Sequence, residues 1–504
     1  MHLLKNCYCR LPGAGVRSKR IKTHGMPVLW GPVAFGVNGR SAVSIGSYTR
    51  RRVHGALSLC GLAGVMLCAA PLSAQTRPQT AVSFTKDVAP ILQRSCVTCH
   101  RPGQSAPMSL QTFDDVRPWA RSIKTRVTAR EMPPWHIDRN VGIQEFKNNL
   151  ALSDKDIATI AAWVDSGSPQ GNPADMPAQR AFASGDEWAI GKPDLIVRFP
   201  SYKVPPTGPD LFPNILAPTG LTEDRYIRAI QTRPVDGNSR RVVHHAITTM
   251  IHGSDDPAAS QVATGPDAPG SQFIVEYASG KAPEVYPEDS GVLLKAHSLL
   301  SLGNHLHSIG EEINSQVEVG FLLYPKGVVP KYIRYSTHHG DPTQNANDSL
   351  DIPAGTIARV DGYTLHTKPG KIIAWQPHMH IRGKYQCLEL IYPGNPSNIM
   401  QRETINCANW DYNWHSVYNY QDQTAPLVPA GTVIHVISWH DNSSANRNNP
   451  DPQNWIGYGD RTIDEMGFSW IGWIDLTPEE YEKELADRVA ARRTPATTQQ
   501  QQQN

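Results

Sequence analysis

Two thiols and an imidazole stand at fixed spacing in the segment CVTCH, residues 96–100. In the pattern C-x-x-C-H, the two thiols add to the vinyl groups of a haem and the histidine ligates its iron. A redox-active C-x-x-C is the alternative, but such a motif normally lies in a βαβ context, which this sequence lacks. The segment therefore predicts a covalent c-type haem (an iron cofactor) held by Cys96, Cys99 and His100.

The second axial ligand of such a haem must come from elsewhere in the chain. A thioether raises the potential of the iron and suits electron transfer. Met132, in the proline-rich segment REMPPWH, is the favoured ligand. Met108 and His136 stay open as alternatives. Because Met108 lies only eight residues after His100, the chain between them is short for crossing the haem plane.

Histidines form a second group of residues with ligating chemistry. His378 and His380 occupy positions i and i+2 of a predicted strand, so they face the same side and can bind one ion together. Met466 lies far along the chain. Two imidazoles and one thioether suit copper, and Cu(I) in particular, better than zinc. The sequence therefore predicts a copper site at His378, His380 and Met466.

Two more histidine pairs occur earlier. His305 and His307 are again at i and i+2, whereas His244 and His245 are adjacent. Adjacent side chains on an ideal strand point in opposite directions, so the second pair needs a bulge or a strand end to bind one ion. We interpret the other clustered or isolated histidines as structural, or as partners of ligand side chains: His338, His339, His366, His415 and His440.

The order of these residues is an adjacent pair, a single histidine, H-x-H and then methionine. This order resembles the copper type II, ascorbate-dependent monooxygenases, which include peptidylglycine alpha-hydroxylating and dopamine beta-monooxygenase. The stretches VVHHAI, QPHMHIRGK, LVPAGTVIHV and YGDRTIDEMGF carry the resemblance, which spans about residues 195–475 and is weakest in the first half. Residues 84–172 in turn resemble bacterial c-type cytochrome domains, through CVTCHRPGQSAPMSL, VRPWARSIK, REMPPWH and IAAWVDSG.

The resemblance implies two copper ions with separate ligand sets. The electron-transfer copper takes His244, His245 and His305, with His307 as the alternative to His305. The oxygen-binding copper takes His378, His380 and Met466. The family also implies a solvent-filled gap between the two sites.

The cysteines depart from the animal enzymes. Those have several disulfides and a cysteine directly after the methionine ligand, where this chain has Gly467. Their substrates therefore cannot be carried over. Once the leader is removed, only Cys387 and Cys407 remain beside the haem pair, and we predict that they form a disulfide in an oxidising compartment.

The elements that must position these residues change in character along the chain. Residues 80–178 show helical periodicity, whereas short runs of β-branched and aromatic residues between turn signals dominate later, as is typical of antiparallel sandwiches. The predicted fold is multidomain, with a small all-α cytochrome c-like domain and two all-β, jelly-roll-like copper domains. The predicted boundaries are a leader at 1–74, the haem domain at 80–178, a linker at 179–191, sandwiches at 192–349 and 350–476, and a helix with a disordered tail at 477–504.

The leader explains the distribution of charge. Residues 1–74 hold ten basic residues and no acidic one, so the rest of the chain is net negative although the whole carries +2. Arg50–Arg52 precede an apolar run at 56–70 and a small-residue end, the pattern of a secretory signal peptide. The run is short for a membrane span, and an uncleaved anchor is the alternative. The protein is expected to be periplasmic or secreted, with no stable span after cleavage.

These features predict an exported copper-dependent monooxygenase. It would hydroxylate a small-molecule or peptide-like substrate with dioxygen, using electrons from the fused haem and from an external donor such as ascorbate or another redox protein. No basic stripe with interleaved aromatics points to nucleic acid. The alternatives are a non-enzymatic copper and haem electron carrier, and a carbohydrate- or surface-binding sandwich without working copper.

Overall fold

The computed structural model describes residues 82–102, 104, 106–179, 188–251, 271–278, 281, 283–342, 350–394 and 401–493. The predicted leader at 1–74, most of the predicted linker and the end of the predicted tail lie outside them. Residues Thr76–Asn504 form one compact unit. None of the helices in the described part of the chain has the length and apolar character needed to span a bilayer.

Helices dominate the first part of the described chain, which holds no strand before Leu195. Single turns of π and 3-10 helix occur at Phe84–Val88, Arg117–Trp119 and Pro173–Asp175. The α-helices are α1 (Ala89–Ser95), α2 (Phe113–Val116), α3 (Ala120–Thr128), α4 (Asp154–Asp165), α5 (Gly237–Val242) and α6 (Pro478–Arg493).

Helix α4 shows why these elements form where the sequence predicts them. Ser153 caps its first turn and exchanges hydrogen bonds with Asp156 in a capping box. Ile160 and Trp163 bury the helix against the core of the helical region. The helix ends before Gly167, whose φ of 89° is left-handed and suits glycine. The predicted helix over residues 153–166 is therefore confirmed.

Strands dominate the rest of the chain. They are β1 (Leu195–Arg198), β2 (Tyr202–Val204), β3 (Asn214–Pro218), β4 (Arg225–Pro234), β5 (Val243–Ile251), β6 (Ser271–Ala278), β7 (Glu284–Val285), β8 (Ser290–Leu294), β9 (Leu299–Leu306), β10 (Ile313–Ser315), β11 (Val317–Leu323), β12 (Tyr332–His339), β13 (Ile357–His366), β14 (Gly370–Met379), β15 (Gly383–Ile391), β16 (Arg402–Asn409), β17 (Tyr418–Asn419), β18 (Leu427–Val428), β19 (Thr432–Asp441) and β20 (Gly467–Asp475).

These strands form facing sheets with apolar side chains between them. A long sheet has the order β1-β11-β4-β8-β12-β20-β14-β17, with β7 and β18 paired at its sides. Its first half faces the sheet β3-β9-β5-β6 across one hydrophobic core, and its second half faces β13-β19-β15-β16 across another. The chain is therefore mostly β, with the predicted β-sandwich architecture.

One sheet runs through both predicted sandwiches. Strand β12 precedes the predicted boundary at residue 349, yet it pairs antiparallel with β20, from Arg334 opposite Ile474 to His339 opposite Ser469. It also pairs with β8 over a short parallel stretch. The two halves therefore share main-chain hydrogen bonds, and the predicted boundary at residue 349 falls just after a strand that joins them.

Residues 135–149, here called the docking segment, lie along the edge of the second sandwich. The amides of Asp138 and Ile143 donate to β16, to the carbonyls of Cys407 (2.8 Å) and Ile405 (3.1 Å). Ile137 and Phe146 are buried in the core of that sandwich. The sequence places this segment inside the haem domain, but it binds the helical region directly to the second sandwich.

The predicted disulfide is present in the structure. Cys387 on β15 and Cys407 on β16 are directly opposite each other and are bonded. Since Cys407 also accepts a hydrogen bond from the docking segment, the disulfide lies beside the attachment of the helical region.

Phe146 gives a test of this attachment. Its ring contacts Trp135, Tyr418 and Tyr420, and the side chain is only 4% exposed. We expect Phe146→Ala to destabilise the unit by about 3–5 kcal/mol, because the lost ring leaves a cavity that aromatic neighbours cannot close. Calorimetry would show a lower unfolding temperature. Leu365→Ala, at a 60% exposed side chain, is the control and should unfold like the unaltered chain.

Candidate functional site

A cavity of about 1280 Å³ lies between the helical region and the second sandwich. This volume exceeds the roughly 300–1000 Å³ of an ordinary small-molecule pocket. The predicted haem residues all line it except Cys99: Cys96, His100, Met132, and the alternatives Met108 and His136. Asn409, Asp411 and Trp414 line it from the sandwich side. The cavity could hold a large planar ligand attached at the C-x-x-C-H segment.

Hydrogen bonding fixes the ring of His100. Its Nδ1 lies 3.2 Å from the carbonyl oxygen of Met108, which can only accept. The Nδ1 proton is therefore donated, and the lone pair of Nε2 is left as the ligating atom. Burial lowers the pKa of His100, which also favours the neutral, ligating form.

Cys96 has the character of a thiol. Burial raises the pKa of Cys96 to about 12, and the nearby Cys99 adds to the effect. A redox-active C-x-x-C usually has a thiol of lowered pKa. Neither cysteine is in a disulfide in the described structure.

The first group of histidines lies where β5 pairs with β9. The register shifts between Val243 and His245, so His244 is the extra residue of a bulge. This is the bulge that the adjacent histidines require if both are to face one point. His305 Nδ1 lies 3.3 Å from His244 Nδ1 and 3.2 Å from His245 Nε2. Three nitrogens bound to one ion at roughly 2.0 Å have about this spacing.

Asp210 orients this group and was not identified from the sequence. Its carboxylate accepts from His305 Nε2 at 2.8 Å and from His307 Nδ1 at 2.7 Å. The proton of His305 is therefore on Nε2, and the Nδ1 lone pair faces His244 and His245. At many metal sites, a carboxylate accepts from the ring N–H that does not bind the metal, and it thereby fixes the tautomer of the histidine. No local motif marks Asp210 in the sequence.

Both alternatives for the third ligand are close to the pair. One nitrogen each of His244, His305 and His307 can be chosen so that all lie within 4.8 Å of one another. Burial lowers the pKa of His244 to about 3 and that of His245 well below its usual value, with nearby histidines adding to both shifts. The imidazoles are therefore neutral, the form in which histidine binds metals.

The second group lies at the end of β14 and the start of β20. His378 is directly opposite Phe468 and Met379 opposite Gly467, so the register places Met466 opposite His380, one step further on. The rings of His378 and His380 are 5.7 Å apart, and His378 stacks on Phe468 at 4.6 Å. The strand pairing thus places the backbone positions of the three predicted ligands next to one another.

Buried polar groups hold this end of the strands. Glu465 accepts from the backbone amides of His380 (2.9 Å) and Arg382 (2.5 Å), and burial raises its pKa to about 8. His380 Nδ1 donates to the carbonyl of Asp464 at 3.1 Å, which leaves Nε2 with its lone pair. His440 donates to the carbonyl of Met466 at 3.0 Å. Sequence patterns gave no sign of Glu465.

His338 and His339 form the remaining adjacent histidine pair, at the end of β12. His339 and His366 are hydrogen-bonded to each other at 2.7 Å, and His366 stacks on Trp473. His338 packs against Phe468 and Trp470, close to the second group.

His415 lies between the two groups. Its ring centre is 5.4 Å from that of His378, 5.6 Å from that of His245 and 5.9 Å from that of His244, and its side chain is buried. The family resemblance implies a solvent-filled gap between the copper sites, and the structure places the buried imidazole of His415 beside both groups. A single histidine in a loop carries no sequence signal for such a position.

The segment 409–415 connects this cluster to the cavity. Asn409, Asp411 and Trp414 line the cavity, and the next residue, His415, contacts both histidine groups. Tyr412, from the same segment, stacks on His244 at 5.2 Å. Trp414, in the wall of the cavity, and His415, in the histidine cluster, are therefore consecutive residues.

Comparisons with known proteins do not assign the chain to a family. No protein-family model and no curated protein matches it. Among solved structures, the N-terminal CBM22-1-CBM22-2 tandem domain of Xyn10C from Paenibacillus barcinonensis matches with a TM-score of 0.17, at 9% identity, over 60% of this chain and 100% of that one. The infectious bursal disease virus VP2 subviral particle matches with a TM-score of 0.17, at 11% identity, over 60% of this chain and 77% of that one. Likenesses this weak carry no argument about fold or function.

Proposed function

We propose that this chain is an exported copper-dependent monooxygenase that hydroxylates an organic substrate with dioxygen, and that a covalent haem in the same chain supplies its electrons. The observation that carries the proposal is the placement of segment 409–415. This segment forms a wall of the cavity beside the C-x-x-C-H residues, and it ends in the buried histidine cluster. The proposed haem and the proposed oxygen-binding copper would thus lie at the two ends of segment 409–415.

The residues around the cavity fit a c-type haem in a cytochrome c-like domain. Cys96 and His100 line it, and the hydrogen bond to the Met108 carbonyl leaves His100 Nε2 as the ligating nitrogen. Because that bond holds the Met108 backbone next to His100, Met132 is the cavity residue that would supply the thioether ligand. The raised pKa of Cys96 also argues against a redox-active dithiol.

The residues of the cluster fit two copper ions. His244, His245 and His305 would hold the first, and the hydrogen bond from His305 to Asp210 leaves the required lone pair facing the other two. His378, His380 and Met466 would hold the second, where the thioether favours Cu(I). His378 Nδ1 is buried and has no hydrogen-bond partner among the described residues.

When bound, the copper ions would supply dioxygen activation and the haem one-electron transfer. The protein contributes position and protonation state. Burial keeps the imidazoles of His244, His245 and His380 neutral, so that their lone pairs are available. Glu465 holds the backbone that carries His380, and Trp414 with His415 spans the distance between the cavity and the cluster.

The central prediction concerns the chain loaded with copper and reduced haem. We expect oxygen from labelled dioxygen to appear in the product of a screened organic substrate. We also expect the haem, followed by stopped-flow absorbance, to reoxidise faster when copper is bound, because the electrons leave through the histidine cluster.

The metal-stripped chain is the control for this experiment. Identical haem reoxidation with and without copper would contradict the donor role. Copper-dependent reoxidation with no labelled product across the screen would favour the non-enzymatic electron carrier instead.

Covalent attachment of the haem is tested separately. We expect the pigment to stay with the protein through acid–acetone extraction after maturation in a periplasm, because thioether bonds survive denaturation. Replacing Cys96 and Cys99 together by alanine should release it. Replacing Cys387 and Cys407 by alanine is the control and should leave it attached. Free extraction from the unaltered chain would show that the haem is not covalent.

Asp210 gives a test of the first copper site. We expect Asp210→Asn to weaken copper binding there by roughly 10–100-fold, because the partner that fixes the His305 tautomer is lost. A titration against a competing chelator measures the affinity. Asp361→Asn is the control, since Asp361 also accepts from a buried histidine, His435, at 2.7 Å. An equal loss of affinity in the control would mean that Asp210 has no special role.

A further inference from the structure

Three buried side chains form a cluster, and only one of them, His378, belongs to a proposed copper site. One atom each of Glu276, His378 and His415 can be chosen so that all lie within 4.8 Å of one another. All three side chains are buried, with Glu276 only 1% exposed. They come from β6, from the end of β14 and from the loop before β17, so strands of both sandwiches meet here.

The ligating atoms of the cluster are left without hydrogen bonds. Glu276 Oε1, both ring nitrogens of His415 and Nδ1 of His378 are buried and have no hydrogen-bond partner among the described residues. His415 Nδ1 approaches Glu276 Oε1 at 3.5 Å, the outer limit of a hydrogen bond, and this long contact helps to hold the pKa of Glu276 at about 2. Buried polar atoms are normally satisfied, so such a concentration of unsatisfied ones needs a missing partner.

Charge indicates what that partner is. Glu276 is a buried carboxylate, and its other oxygen accepts from the neutral amide of Gln376. Lys281, a nearby cation, is paired with Glu284 at 3.1 Å. A buried anion requires a compensating cation, and the other two members of the cluster are imidazoles, which are metal ligands in their neutral form.

We propose that Glu276, His378 and His415 bind a divalent transition-metal ion. This inference rests on the proposed function only in that His378 also belongs to the proposed oxygen site. The two donor sets suit different ions. Carboxylate with imidazole favours a divalent ion, whereas the thioether of Met466 favours Cu(I). His378 is thus shared between a harder and a softer set of ligands.

The arrangement places the divalent ion beside segment 409–415. His415 would be its ligand, and the preceding residue, Trp414, lines the cavity. Glu276 thereby becomes a ligand in a region where sequence patterns predict only histidine and methionine.

Zinc is the probe for the test, because Zn²⁺ is divalent and has no redox chemistry. The full chain is stripped with a chelator and titrated with Zn²⁺ alone, and the bound zinc is counted. We expect two zinc ions per chain, one at the His244 group and one at the Glu276 cluster. Glu276→Gln and His415→Gln should each lose one of them, or bind it more than about 100-fold more weakly, since even outer partners of ligands cost roughly 10–100-fold.

Two comparison variants complete the design. Glu389→Gln alters another buried carboxylate that is bonded to a histidine, His435, at 3.0 Å, and should keep both zinc ions. Met466→Ile should keep both zinc ions but lose affinity for Cu(I), measured with a Cu(I)-specific chelator. Zinc binding that depends on Met466 and not on Glu276 would overturn the proposal.

X-ray absorption of the unaltered zinc-loaded chain decides the question even if the variants fail to fold. With the haem in place, so that Cys96 and Cys99 offer no thiolate, we expect only nitrogen and oxygen neighbours around zinc. A sulfur neighbour would then come from a methionine and would overturn the proposal. None of these measurements uses turnover. If Glu276→Gln loses zinc but the unaltered chain forms no labelled hydroxylated product, the metal site is supported and the proposed function fails. If the unaltered chain forms labelled product but Glu276→Gln keeps both zinc ions, the proposed function is supported and the metal site fails.

Discussion

The antiparallel pairing of β14 with β20 is the constraint on which the histidine cluster and the joining of the two sandwiches depend. Its register sets His378 opposite Phe468 and brings Met466 to His380, although 86 residues of chain separate the methionine from that histidine. A slip of one residue would turn every side chain of the strand to the other face. Glu465 stabilises this register, because its buried carboxyl group accepts hydrogen bonds from two backbone amides just after the end of β14. The same strand β20 pairs with β12, so both halves of the chain are built on this contact.

The helical region is held by main-chain contacts rather than by a tether alone. The predicted linker at 179–191 suggests two modules joined by a flexible segment, which would raise their effective concentration. The docking segment instead adds hydrogen bonds to β16 and apolar side chains to the sandwich core. The cavity beside Cys96 therefore has a wall from the sandwich, and its distance to His415 is set by packing. Fixed spacing is what electron transfer between two such sites would need.

Patterns within a few residues could be read from the sequence, and partners across strands could not. The C-x-x-C-H segment, the H-x-H pair, the capped helix α4 and the need for a bulge at His244 all follow from local spacing. Asp210, Glu276 and His415 reach the cluster only through pairings between distant strands, and each is an ordinary residue in its own neighbourhood. The boundary at residue 349 was placed by turn composition, which carries no information on the pairing of β12 with β20. Local patterns identify candidate ligand types, and tertiary pairing decides which of those side chains meet.

The burial that brings the imidazoles together also makes their protonation costly. It lowers the pKa of His244 to about 3 and that of His380 to about 4, well below the usual histidine value, so the folded chain holds these rings neutral where an unfolded chain would take up protons below about pH 6.5. Stability from these rings is therefore present above that pH and is lost as the pH falls towards the folded values. A metal ion would bind the same neutral lone pairs and offset the buried charge of Glu276. Metal binding at the proposed sites would thus be coupled to folding of the two sandwiches through the same side chains.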